Sequence, residues 1–185
     1  GFVYHMTCRG SRFADGAKRN PNGEVFMKNR ETDEWLTQNV RSTRNFLRKW
    51  GHFCKHDNLM KPIIPPKYNN QFIVDNGNIK LLETLEPWCD NINIDIPQTD
   101  IDAYIKKEQI DTQFNLTKRI NQDVQNDVQI TFDANKLTEY SFKLITELST
   151  ILESSEIEVG EFELDIFKVK VNRVKTYEHS LIYRK

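Results

Sequence analysis

Leu36, Val40, Thr43, Leu47 and Trp50 recur at i, i+4, i+7, i+11 and i+14, one apolar stripe at helical spacing. Glu31, Asp33 and Glu34 lie near its start and Arg48 and Lys49 near its end, which suits the helix dipole. Gly51 is the natural stop. Before this helix, residues 2–8 alternate weakly as a strand, and Gly, Asn, Pro and Asp fill a long loop to residue 24. After it, "KPIIPPKYNN" holds three prolines in five positions and reads as an extended arm, because proline removes donors and fixes φ.

The second half predicts more elements. "FIVDNGNIKLL" reads as a hairpin around Asp75-Asn76-Gly77-Asn78, and "LEPWCDNINIDI" as a turn followed by a strand. Thr99 is placed to cap a short helix running to about Lys107. Residues 111–127 are polar and carry no clear period. "VQITFDA" alternates as a strand, and residues 135–153 form a helix that buries Leu137, Phe142 (or Tyr140), Leu144, Ile145, Leu148 and Leu152. Phe162, Leu164 and Ile166 alternate, and the apolar phase then moves to Phe167, Val169 and Val171, which suggests a bulge. "HSLIYRK" closes as a strand. Strand, helix, strand, strand is an α+β layer, one helix on a small antiparallel sheet.

Composition narrows the class. The chain has 185 residues, 38% apolar and 29% charged, a globular balance rather than a disordered or fibrous one. No apolar run reaches the roughly 18 residues of a bilayer span, so no membrane partner is expected. "GFVYHMTCRG" lacks the order of a secretory signal. Cys8, Cys54 and Cys89 are odd in number and far apart, which favours a reducing, cytoplasmic setting and small buried thiols. The chain opens on Gly1 and moves directly into a strand pattern, as expected of a fragment of a longer chain.

Charge divides the chain. Residues 1–70 hold 13 Lys and Arg against 6 Asp and Glu, a balance of +7; residues 71–185 hold 13 against 21, a balance of −8. The first part is expected to face an anion. Two domains follow from this, residues 1–70 and an acidic α+β accessory domain over residues 71–185.

The densest chemistry lies in "RNFLRKWGHFCKHD", residues 44–57. Arg41, Arg44, Arg48, Lys49, Lys55 and Lys67, with Phe46, Trp50, Phe53 and Tyr68, could track phosphates and stack bases. Trp50 sits on the apolar stripe, however, and no helix-turn-helix, zinc-finger, RRM or KH signature is present, so nucleic acid is a disfavoured partner. His5, His52, His56, Asp57 and His179 are the candidate metal ligands. His52 and His56 are four apart, but Gly51 breaks the helix before them and the Glu of HExxH is missing, so both read as surface or core-edge imidazoles. His5 ends a strand that feeds the basic loop, a common place for a ligand. No G-x-S-x-G elbow and no glycine-rich phosphate loop occurs.

"GFVYHMTCRGSRF", the Asn-rich loop and the helix ending in "FLRKWG" together resemble the C-terminal part of family 2 glycosyltransferases of the GT-A type, over about residues 1–70. The resemblance implies the end of a GT-A-like α/β domain, with a strand, a long loop and a helix. It implies transfer of a sugar from a nucleotide-diphosphate donor to a glycan or other acceptor, with a divalent cation, Mn²⁺ or Mg²⁺. By the same resemblance His5 would contact the metal or diphosphate, and Arg9, Ser11 and Arg12 would line a loop over the nucleotide sugar. Lys49 and Trp50 would support the acceptor side. The Asp-x-Asp motif of that family has no counterpart in the matching place, and Asp100-Ile101-Asp102 lies at an expected helix start instead. The chain alone is therefore expected to be inactive. The competing expectation is a non-catalytic interaction module that forms a homo-oligomer through its C-terminal sheet.

Overall fold

The structure is a computed structural model that describes residues 33–154 and 158–174, with the backbone of two further short strands. The expected first strand with His5, Arg9, Ser11 and Arg12, and the expected last strand with His179, lie outside the described residues.

Two compact units divide at residue 42. In the first, β1 (Lys18–Arg19) pairs antiparallel with β2 (Val25–Phe26). The helix α1 (Asp33–Trp50) begins in this unit, with Asp33 and Glu34 in its first turn. Leu36 and Val40 of the predicted stripe are 51% and 58% exposed there, beside an exposed Trp35.

The second unit, residues 43–185, contains a hairpin ribbon, β3 (Lys55–His56) with β4 (Pro62–Ile63), and a five-stranded sheet. In chain order the sheet strands are β5 (Asn70–Asp75), β6 (Asn91–Ile94), β7 (Val128–Asp133), β8 (Gly160–Leu164) and β9 (Phe167–Val171). In space they run β6-β5-β7-β9-β8. The helices between them are α2 (Ile79–Leu85), α3 (Gln98–Glu108) and α4 (Glu139–Ser154).

The α+β class holds, but the sheet is mixed. β5 pairs parallel with both β6 and β7, whereas β7–β9 and β9–β8 are antiparallel. Asp75-Asn76-Gly77-Asn78 does not turn a hairpin. It leads from β5 into α2, where the Asn78 side chain caps the Leu81 N–H at 3.0 Å. Gly77 is required by a close approach, since a Cβ there would lie 2.4 Å from Ile94 Cγ1. The expected bulge is a two-residue turn at Asp165-Ile166. It joins Leu164 to its partner Phe167 and moves the apolar phase without an extra residue. α3 starts after Pro97 without a side-chain cap, so Thr99 lies inside the helix.

The core occupies one face of the sheet. Phe72, Ile130, Phe167, Val169 and Leu164 meet Leu144, Ile145 and Leu148 of α4, while Tyr140 points outward, 65% exposed. Phe132 joins this layer edge to face with Phe72 and Phe167. The other face is polar, with Gln71 and Gln129 paired across β5 and β7 through their amides at 2.9 Å. Among the described residues no helix is long and apolar enough to cross a membrane.

Candidate functional site

Parallel strands end together, and α/β folds bind ligands in the crevice beyond their carboxyl ends, where the connections part in opposite directions. Here β5, β6 and β7 end at Asp75, Ile94 and Asp133; the connection leaving β5 runs to β6 on one side and the connection leaving β7 runs to β8 on the other, so they part between those two neighbours. Asp75 and Asp133 are register partners at that point. Asn76 Nδ2 donates to Asp133 Oδ1 at 3.0 Å, and the Asn135 N–H donates to the same oxygen at 2.9 Å. The Asn135 backbone N–H, then the Asn76 amide, hold the Asp133 carboxyl below the usual carboxylate range.

A cavity of 410 Å³ opens beside β5 and β6, lined in part by Asp75, Asn93, Asp95, Asn121, Gln122 and Asp123. Its far wall comes from residues 121–123, the start of a segment that runs on to Asn126. Asn121, with φ of 49°, accepts from the Ile94 N–H through its side chain at 2.8 Å and returns a bond to the Ile94 carbonyl at 3.2 Å. Five residues later Asn126 Nδ2 reaches Asn69 Oδ1 and Asn91 Oδ1, at 2.6 and 2.9 Å, at the opposite end of the sheet. The segment therefore runs from the carboxyl end of β6 to the amino ends of β5 and β6. Three carboxylates and three amides make this groove a partner for hydroxyl groups, and their charge repels a phosphate.

A buried ionic network lies behind α1. Glu86, with no exposed surface, accepts from Arg48 Nη2 at 2.6 Å, Arg119 Nε at 2.8 Å and the Tyr104 hydroxyl at 2.9 Å. Arg48 also donates to Glu108 at 2.6 Å, and Arg44 to Glu108 at 2.7 Å. Arg44 further bonds the Glu83 carbonyl, and Arg119 the Cys89 carbonyl. Burial would raise the Glu86 carboxyl, yet the hydrogen bonds and charges of Arg48 and Arg119 outweigh it and hold the group below its ordinary value. Burial, with Glu86 second, pushes the Tyr104 phenol up. Burial also pushes up the Cys89 thiol, which makes it inert at neutral pH.

These contacts correct the reading of "RNFLRKWGHFCKHD". Arg44 and Arg48 are committed to carboxylates inside the protein and are unavailable to a nucleic acid or diphosphate. Lys49 and Trp50 do come together. Trp50 is partly buried, the Lys49 ammonium stands 4.9 Å from its ring centroid, and Phe46 lies 6.3 Å away. Gly51, at φ of 75°, ends the helix beside them, its N–H on the Leu47 carbonyl at 2.7 Å. His52 is buried and His56 exposed; their Nδ1 atoms face the Phe53 and Asp57 carbonyls, and they do not converge. Asp102 receives Gln98 Nε2 at 2.8 Å. Among the described residues no three His, Cys, Asp or Glu side chains form a metal-binding group.

Glu86, Tyr104, Arg119 and the aspartate groove are absent from the sequence reading. One signal was present for Glu86: it is a charge enclosed by Leu85, Pro87 and Trp88 in an otherwise apolar run. No protein family, no curated protein and no solved structure matches this chain.

Proposed function

We propose that this chain is the distal segment of a metal-dependent glycosyltransferase that moves a sugar from a nucleotide-diphosphate donor to an acceptor. The observation that carries the reading is the end of α1. There the Lys49-Trp50-Gly51 sequence of the resemblance forms a capped helix end, with a cation held against a partly exposed indole. An indole face accepts the C–H face of a sugar ring, and a neighbouring ammonium donates to its hydroxyls. The aspartate and amide groove adds a second surface suited to a hydroxyl-rich acceptor.

The donor side belongs to His5, Arg9, Ser11 and Arg12, outside the described residues. Their cations would offset the charge that develops on the leaving diphosphate. The divalent cation, Mn²⁺ or Mg²⁺, is assigned there by resemblance, at His5.

The test uses the full-length protein that contains this chain. Release of nucleoside diphosphate is measured against a panel of nucleotide sugars, with Mn²⁺, with Mg²⁺ and with chelator. Turnover of one donor that requires a cation and falls about 100-fold in His5→Ala supports the reading. No turnover on any donor ends it, and unchanged turnover in His5→Ala ends the role of His5.

A second reading rests on a different observation, the open edge of β8. That edge suits a non-catalytic interaction module.

A further inference from the structure

β8 is the outer strand of the sheet, and among the described residues nothing pairs with its far side. The two-residue turn makes Leu164 and Phe167 a hydrogen-bonded pair, so Phe162 with Val169 and Gly160 with Val171 are hydrogen-bonded pairs as well. The backbone N–H and C=O groups of Glu161 and Glu163 therefore point to the open edge. Both side chains are exposed, on the polar face of the sheet, while Phe162 and Leu164 are partly covered on the α4 face. An open row of donors and acceptors of this kind is a template for one more strand.

Charge decides which strand. A second copy adding antiparallel to this edge, about a twofold axis, would place Glu161 opposite Glu163 of its partner or opposite the partner's Glu161. Like charges directly opposite destabilise a strand pair. β9 shows what β8 accepts on its inner side: Lys168 and Lys170 stand opposite Glu163 and Glu161, and Lys170 Nζ lies 3.2 Å from Glu161 Oε1. In β9 these lysines alternate with Phe167, Val169 and Val171, which are buried.

We propose that the outer edge of β8 binds an extended segment of another protein in which Lys or Arg alternates with apolar residues. The main-chain ladder supplies binding, the cations meet Glu161 and Glu163, and the apolar positions extend the core layer past Phe162 and Leu164. The inference is independent of glycosyl transfer. It also turns the expected self-association at this sheet into recognition of a different, basic strand.

The test titrates the full chain into three labelled peptides followed by fluorescence anisotropy. One alternates Lys and Val, one has the same composition in blocks, and one alternates Glu and Val. Amide NMR shifts locate the contact. The expected result is binding of the Lys-Val peptide about tenfold tighter than the blocked one, with shifts centred on residues 160–164. The double variant Glu161→Gln/Glu163→Gln, which puts no like charge opposite Lys168 and Lys170, should remove the preference for the Lys-Val over the Glu-Val peptide. Equal binding of alternating and blocked peptides, shifts centred elsewhere, or no binding would overturn the proposal. So would a concentration-dependent dimer with the same amides protected.

Discussion

Arg48 and Glu86 meet at 2.6 Å with 1% and 0% of their side chains exposed, one from the last turn of α1 and the other from the turn that ends α2. The pair joins two elements distant in sequence, and each partner is shared: Arg48 with Glu108, Glu86 with Arg119. Removing one member of a buried, hydrogen-bonded pair leaves an uncompensated charge, which costs about 3–5 kcal/mol. Glu86→Ala leaves Arg119 without a carboxylate and Arg48 with Glu108 alone, and should lose that much in urea unfolding. Arg119→Ala leaves Glu86 with Arg48 and should lose less. Equal losses would show that Arg48 and Glu86 are not the centre of the network.

The same carboxyl predicts the acid limb of stability. Glu86 is held below its ordinary value in the folded chain. Its stabilisation is therefore complete above the unfolded pKa, about 4.3, and is lost as pH falls through the lower folded value. Urea midpoints measured from pH 6 down to pH 2 should decline below about pH 4. In Glu86→Gln the whole curve should lie lower and its acid decline should be shallower. A parallel curve would assign the decline to other carboxylates.

Gly77 and Ile94 form a steric pair. A methyl group at residue 77 would overlap Ile94 Cγ1 at 2.4 Å and Cδ1 at 2.6 Å. Gly77→Ala should cost about 1–3 kcal/mol by overpacking. In an Ile94→Ala background the same change should cost much less, so the double-mutant cycle should show clear coupling. Gly51→Ala differs, because its methyl would meet only Lys67 side-chain carbons at 3.6 Å and beyond. Its cost comes from the left-handed backbone alone, about 1–2 kcal/mol. Urea unfolding measures all four.

Thiol chemistry should separate two cysteines. Cys54 is exposed, whereas Cys89 is 4% exposed with its thiol raised by burial. In a Cys8→Ser background, Ellman's reagent should label one thiol rapidly and the second only at the rate of unfolding. Two fast thiols in folded protein would contradict the burial of the Cys89 thiol against the Leu85 and Glu86 carbonyls.

For the proposed transferase, Trp50→Ala in the full-length protein should raise KM for the acceptor more than it lowers kcat, with KM for the donor little changed. Trp50→Phe should recover part of the loss. An equal effect on both substrates would make Trp50 a packing residue only.

The sequence by itself determined the elements whose periodicity meets one continuous apolar surface. β7, α4 and the inward residues of β9 were legible, since each buries a face that repeats at 3.6 or 2 residues, whereas in the α1 stripe Leu47 is buried but Leu36 and Val40 are exposed. What lay beyond reach was decided between elements. "DNGN" has the letters of a hairpin turn, but the parallel pairing of β5 with β6 and β7 made it a strand-to-helix turn, because Ile94 leaves room for Gly77 and no side chain. The cations of α1 read as a solvent-facing patch, because local spacing cannot reveal a carboxylate 38 residues away; only tertiary packing brought Glu86 under Arg48. The groove was hidden for the same reason, since Asp75, Asp95 and Asp123 share no period and meet only because parallel strands end at one level and the segment after Asn121 folds against them. Spacing along a chain encodes which face is apolar, whereas the pairing of charges and the direction of strands are properties of the folded arrangement.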